Sequence, residues 1–185
     1  SKICDQSIFI AHEGYSQYDH ELLTVSTPDT IHNNQLIIYH LMGQHPRFKL
    51  RYPADYEYFH PEDYPLLTQY QASIIAAYDN ATRYNDYVVS EIIKTYSDKE
   101  TLLFYLPDHG LDLFVSDPDY VGHGRSDSVS YNEGLKIPFL VYMSSTFQEH
   151  FPETESKLKR LSKLPFCSTH FYDLVIDLAG YSTHK

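Results

Sequence analysis

A chain of 185 residues with 25 Asp and Glu against 14 Lys and Arg, and hence a formal net charge of −11, is long enough for one domain with a sizeable core and too short for two comfortable ones. That acidity excludes nucleic acid as a partner, because no Lys/Arg stripe runs along the chain; the brief cluster Lys157-Leu158-Lys159-Arg160 is interrupted and reads as a solvated helix face. No apolar stretch approaches the roughly 20 residues that cross a bilayer, so this piece by itself is expected to be soluble, and 18 tyrosines without a tryptophan predict many rings that combine burial with a hydroxyl in need of a partner.

The first apolar segment, Leu36-Ile37-Ile38-Tyr39-His40-Leu41-Met42, follows the turn-like Thr30-Ile31-His32-Asn33-Asn34 and stops at Gly43. Its β-branched and aliphatic side chains predict a buried strand, with His40 and His45 around its end. Between Pro46 and Pro65 four prolines and many aromatics predict an irregular surface loop, of a length that is often functional. A long helix is predicted over 65–96. Ile74, Tyr78, Ala81, Val88 and Ile92 recur at spacings of four, three, seven and four, which lays one apolar stripe along a helix face, and Pro65 suits its first turn. After the charged Asp98, Lys99 and Glu100, residues 101–106 are short, apolar and aromatic, the pattern of a central strand in an α/β sheet.

A third strand is predicted over 137–143, with Pro138 near its start, where a missing amide is tolerated. A polar segment with some helix over 145–164 and a final helix over 168–179, closed by Gly180, complete the pattern. Strands alternating with helices predict an α/β layer fold, with no repeat and no domain boundary. Cys4 and Cys167 could pair with each other, pair with something outside this chain, or stay as thiols; their number leaves all three open.

Ligand and catalytic groups in α/β sheets gather at the carboxyl ends of the strands. Directly after 101–106 stands Pro107-Asp108-His109-Gly110, a carboxylate and an imidazole side by side. Both are good zinc ligands, and Gly110 removes a side chain that would crowd the turn. His123, in Tyr120-Val121-Gly122-His123-Gly124, is flanked by glycines that let the backbone turn sharply and present the ring. One such histidine reads as an ordinary surface residue. Four histidines (His40, His45, His109 and His123) and an aspartate at predicted loop ends weaken that ordinary reading and favour a metal corner.

These segments resemble a known family. His40-Leu41-Met42-Gly43-Gln44-His45-Pro46, followed by Arg51-Tyr52-Pro53, looks like the H-x-x-G-S-H and R-Y-P elements of the bacterial phosphoethanolamine transferases, members of the alkaline phosphatase and sulfatase-like superfamily. Tyr78-Asp79-Asn80-Ala81-Thr82-Arg83-Tyr84-Asn85-Asp86-Tyr87-Val88 is similar to their Y-D-N-x-x-x-Y-x-D-Y-V helix, which is long and specific. Asp108-His109-Gly110 corresponds to their D-H-G, His123-Gly124 to a downstream H-G, Ile137-Pro138-Phe139 to a V-P-hydrophobic strand, and Tyr18-Asp19-His20-Glu21-Leu22-Leu23 to a Y-D-E-x-L-L element, all in the family's order.

The resemblance implies a three-layer α/β/α sulfatase-like sheet, incomplete here. Residues 1–185 would be the C-terminal portion of a single periplasmic catalytic domain of an enzyme anchored in the bacterial inner membrane by absent N-terminal helices. It implies zinc-dependent transfer of phosphoethanolamine from phosphatidylethanolamine to lipid A, a core sugar of lipopolysaccharide or another glycan, through a phosphoryl-threonine intermediate. Carried over by position, Asp108 and His109 would ligate the catalytic zinc, His45 and His123 would bind a second metal or the phosphoethanolamine group, and His40 would line the same pocket. The family's nucleophilic threonine and acidic ligand lie upstream of the Y-D-E element. No threonine precedes Tyr18, and Thr24, Thr27 and Thr30 follow it, so the chain alone is expected to be inactive. Two departures stand out: Leu111-Asp112 replaces the family's Glu-Ser after D-H-G, so that the acid's hydrogen bond is lost or shifted to Asp112, and Gln44 replaces the serine of H-x-x-G-S-H. Alternatives are a sulfatase or phosphodiesterase that uses the same metal chemistry with water as acceptor, and a non-catalytic binding domain that keeps the fold.

Overall fold

The computed structural model describes residues 8, 10, 18–25 and 35–180. They divide into two compact units, one holding the described residues up to Thr95 together with Phe104–Leu140, the other Tyr96–Leu103 and the described residues from Val141 onward.

The first unit is built on all but the last residue of a 28-residue helix, Gln69–Tyr96, preceded by a 3-10 turn Asp19–Glu21 that runs into one α-helical turn, Leu22–Val25. We label the short turn α1 and the long helix α2. Thr68 starts α2: its hydroxyl accepts the Gln71 amide at 3.3 Å while the Gln71 side chain accepts the Thr68 amide at 3.1 Å. This reciprocal cap satisfies two orphan donors. It also displaces the expected start, leaving Pro65 outside the helix. Ala72, Ala76, Asn80, Tyr84, Val88, Ile92 and Tyr96 are buried, a stripe every fourth residue that Ala81, Asn85 and Val89 widen. Of the expected stripe, Ala81, Val88 and Ile92 are buried and Ile74 and Tyr78 half-buried.

Against this stripe lies the proline-rich segment, irregular as expected, with 3-10 turns at Phe48–Leu50, Ala54–Tyr56 and Pro61–Asp63. Asn80 anchors it. Its side-chain oxygen accepts the amides of Tyr58 and Phe59 at 2.7 and 2.9 Å, and its nitrogen donates to the Phe59 carbonyl at 2.8 Å. The Tyr64 hydroxyl donates to Asp79. The Tyr78-Asp79-Asn80 motif therefore acts as a clasp for the loop.

Residues 36–42, expected as a buried strand, run without helix or strand, and Leu36 and Ile38 are 80% and 79% exposed. β-propensity expresses itself only where a neighbouring strand offers hydrogen bonds and a face to bury. Among the described residues no strand pairs with this segment.

The expected central strand is present as β1, Leu102–Tyr105, and the third as β4, Leu140–Met143, the two being hydrogen-bonded neighbours. Between them β2 (Asp112–Leu113) and β3 (Val121–Gly122) form an antiparallel pair, Asp112 facing Gly122 and Leu113 facing Val121, followed by helix α3, Ser128–Leu135. Pro138 falls just ahead of β4 and costs no ladder bond.

In the second unit Ser144 caps helix α4 (Ser145–His150): its hydroxyl accepts the Phe147 amide at 3.2 Å and the Thr101 amide at 3.0 Å. Pro152, at the first position of α5 (Pro152–Leu161), breaks what the sequence read as one polar helical stretch. The last helix, α6, spans Phe171–Leu178 after a 3-10 turn at Ser168–His170, and Gly180, at φ +80°, ends it as expected. Cys167 is an exposed free thiol, and Cys4 lies outside the described residues.

Candidate metal centre

β1 delivers the chain to Leu106-Pro107-Asp108-His109-Gly110, and the end of α3 fixes where that corner stops. The Gly110 amide donates to the Gly134 carbonyl at 2.7 Å. A Cβ on Gly110 would lie 2.1 Å from the Glu133 carbonyl oxygen and 2.6 Å from that of Lys136, so only glycine lets the strand exit pass this close to α3.

At His109 the ring nitrogen Nδ1 lies 2.7 Å from the Gly110 carbonyl. A carbonyl has no proton to give, so Nδ1 carries the hydrogen, and in the neutral ring Nε2 is the nitrogen with the lone pair. Nε2 lies 3.8 Å from Asp108 Oδ1, whose carboxylate is 89% exposed, while the His109 side chain is 38% exposed. An imidazole that donates its other N–H to a backbone carbonyl is the usual arrangement of a metal-ligating histidine.

His123 joins this corner. Its ring centroid is 3.8 Å from that of His109, with the planes 30° apart. Gly124 after it adopts φ +80°, and the Tyr120 hydroxyl donates to the His123 carbonyl at 3.2 Å. Arg125 braces the same loop: its guanidinium lies 4.9 Å from the Tyr120 ring centre and pairs with Asp117 at 2.9 Å and Asp127 at 3.2 Å. Those contacts hold Asp117 below the usual carboxylate range, through the Asp119 amide first and Arg125 second.

His40 and His45 lie on a separate turn and are exposed. Among the described residues no hydrogen bond, ion pair or ring contact joins them to His109 or His123, and no group of three His, Cys, Asp or Glu side chains stands ready to hold a metal. The donor types of Asp108 and His109 fit zinc, and a four-coordinate shell built on these two would need two further ligands.

Three residues outside the expected site position its parts. Asp19, buried, accepts the amides of Met42 at 3.0 Å and Gly43 at 2.8 Å, which fixes the turn between His40 and His45. Asn85, on α2, donates to the Tyr105 hydroxyl at the end of β1 at 2.7 Å, and its Oδ1 sits 3.4 Å from where a Cβ on Gly43 would stand. α2 thus touches both the histidine turn and the strand that carries Asp108. The third is Asp112. The sequence raised it as a substitute acid for the site, but it is fully buried and spent on its own turn, accepting the Val115 amide at 2.8 Å, the Ser116 amide and the Ser116 hydroxyl. Burial pushes its pKa up, these hydrogen bonds outweigh it, and the net shift is downward.

The sulfatase family model matches residues 6–181, so the chain belongs to the sulfatase family, with the α/β fold expected of it. Within that family its similarity is to phosphoethanolamine transferases. It is 34% identical over 146 residues to phosphoethanolamine transferase EptA of Helicobacter pylori, an alignment that covers 74% of this chain and 27% of the relative. It is 29% identical over 161 residues to the Kdo(2)-lipid A phosphoethanolamine 7''-transferase of Escherichia coli K12, covering 84% of this chain and 28% of that enzyme. Among solved structures, the zinc complex of the C-terminal periplasmic domain of EcEptC from Escherichia coli matches with a TM-score of 0.60 at 29% identity, over 77% of this chain and 42% of that domain. The chain therefore spans about a quarter of the length of these curated relatives.

Proposed function

We propose that this chain contributes the metal corner of a catalytic domain that transfers phosphoethanolamine from phosphatidylethanolamine to lipid A or another lipopolysaccharide sugar. The observation that carries the reading is the Asp108–His109 corner: a carboxylate and an imidazole Nε2 lone pair 3.8 Å apart, with the imidazole's other nitrogen committed to a backbone carbonyl. The relatives' names supply the substrate class, and the EcEptC zinc complex supports zinc as the metal.

In this reading Asp108 and His109 hold zinc, which when bound supplies Lewis-acid charge for activating a hydroxyl nucleophile, a threonine by family resemblance. The chain's own residues do the rest. The Gly110 carbonyl keeps the Nδ1 proton of His109 in place, so the ring stays in the ligating tautomer. His123, its ring tilted 30° over that of His109, would offer an N–H to a phosphoryl oxygen where a pentacoordinate phosphorus carries negative charge, and His45 and His40, on their separate turn, are assigned to the phosphoethanolamine group by family resemblance alone. The domain is read as periplasmic. Among the described residues no helix is long and apolar enough to cross a membrane, so anchoring is assigned to segments other than these.

The test is to incubate the native protein with phosphatidylethanolamine labelled in its headgroup, with lipid A as acceptor, and to analyse products by mass spectrometry. Transfer adds one phosphoethanolamine to lipid A. Release of free phosphoethanolamine alone would place the protein among hydrolases, and no turnover with zinc bound would favour a non-catalytic domain.

A further inference from the structure

On the side of α2 turned away from Asn85, a cleft of about 400 Å³ is lined by Tyr56, Arg83, Asp86, Tyr87 and Ser90. At 100° per residue, positions 83, 86, 87 and 90 share one face, while Asn85, which reaches toward the histidine turn and β1, lies on the opposite one. The cleft is thus separated from the Asp108 corner by the body of the helix, yet it sits within the size range of small-ligand sites.

Its chemistry is balanced. Arg83 and Asp86 are both exposed, and among the described residues neither is in an ion pair. The Arg83 guanidinium lies 5.1 Å from the Tyr58 ring centre and 5.8 Å from that of Tyr56, and its Nη1 makes a long contact of 3.5 Å to the Tyr56 carbonyl, so aromatic faces hold it in place and its other N–H groups can meet an incoming anion. Tyr56 and Tyr87 are 5.1 Å apart, centre to centre, and form an aromatic wall beside the Asp86 carboxylate. Burial and the Tyr87 hydroxyl hold the Tyr56 phenol above its ordinary value, so the Tyr56 ring keeps its proton at neutral pH. A pure anion would meet Asp86 and a net charge of −11; a pure cation would meet Arg83. A ligand that carries one of each charge, a few bonds apart, satisfies both.

We propose that this cleft binds the zwitterionic headgroup of a phosphoethanolamine ester, the phosphate on Arg83 and the ammonium between Asp86 and the Tyr56 and Tyr87 rings. The choice of ethanolamine as the cation rests on the functional reading above; the zwitterion rests on the cleft alone. Such a site would hold a donor or product headgroup on the far side of α2, away from the reacting atoms.

The full chain, labelled with 15N, is titrated separately with phosphoethanolamine, ethanolamine and inorganic phosphate, following the Arg83 side-chain resonance. Sedimentation with phosphatidylcholine vesicles, with and without phosphatidylethanolamine, then tells a lipid headgroup from a free ester. The expected result is a shift at Arg83 with phosphoethanolamine at least tenfold tighter than with either half, weakened at least tenfold by Arg83→Gln and by Asp86→Asn, and unchanged by His109→Gln. Retention on phosphatidylethanolamine vesicles identifies the lipid as occupant, and a response to the soluble ester alone identifies the free headgroup. Phosphate binding as tightly as phosphoethanolamine, or binding improved by Asp86→Asn, would make this a simple anion site and overturn the proposal. So would an Arg83 signal unmoved by every probe. His109→Gln abolishing transfer while the cleft still binds separates the two readings.

Discussion

Asn80→Ala removes the clasp between α2 and the proline-rich loop, and its cost can be worked from the hydrogen bonds. The Asn80 side chain, 1% exposed, makes three short bonds to the backbone of Tyr58 and Phe59, while a fourth contact, to the Tyr52 hydroxyl at 3.5 Å, is too long to count. At about 1 kcal/mol net per bond the loss is ~3 kcal/mol. Leaving two amides and a carbonyl without partners raises it, and water reaching the exposed Tyr58 lowers it. For a chain of this size, ~3 kcal/mol corresponds to a Tm drop of about 6–12 °C. Urea unfolding followed by far-ultraviolet circular dichroism, with the exposed Ser73→Ala as a control expected within about 0.5 kcal/mol, measures it. A loss under ~1 kcal/mol with unchanged denaturant slope would refute the clasp.

Gly110→Ala forces a Cβ against backbone oxygens that cannot swing away, so it should cost at least about 2 kcal/mol and disturb the His109 ring, visible as a shifted His109 Cε1–H resonance; a variant as stable as the parent would contradict the close approach to α3. Tyr84 is held up to about 12, by burial first, against an ordinary value of 10.0. Stability from its neutral form is full below pH 10 and lost as pH rises toward about 12, and Tyr84→Phe should flatten that fall by up to one proton in the pH slope of the unfolding free energy. Asp19→Ala should leave α2 intact but loosen the turn that carries His40 and His45, seen as faster amide exchange at Met42 and Gly43; unchanged exchange at both would remove its positioning role.

Local patterns foretold the parts of this fold that depend on local chemistry. The charged run before residues 101–106 and the apolar, aromatic character of that segment gave away β1, and Asp108-His109-Gly110 at its exit stood out because two ligand types met a glycine. The same reading failed at residues 36–42, where apolar character was taken for burial although a strand needs a neighbour. Two local marks went unread, the Thr68-x-x-Gln71 cap that starts α2 and Pro152, which separates α4 from α5. Asp19 was beyond reach for another reason: its partners Met42 and Gly43 lie 23 and 24 residues away, and no periodicity links them. Asp112 shows the limit of reasoning by residue type, since an acid in the right neighbourhood is buried in its own turn.

Zinc affinity of the native protein, measured by competition with a chromophoric chelator for the parent and for His109→Gln, tests the metal corner most directly. The account predicts that losing the Nε2 ligand weakens zinc by at least about 100-fold, worth some 2.7 kcal/mol, with phosphoethanolamine transfer falling in parallel. Equal zinc affinity in the two proteins, or full transfer activity without His109, would contradict it.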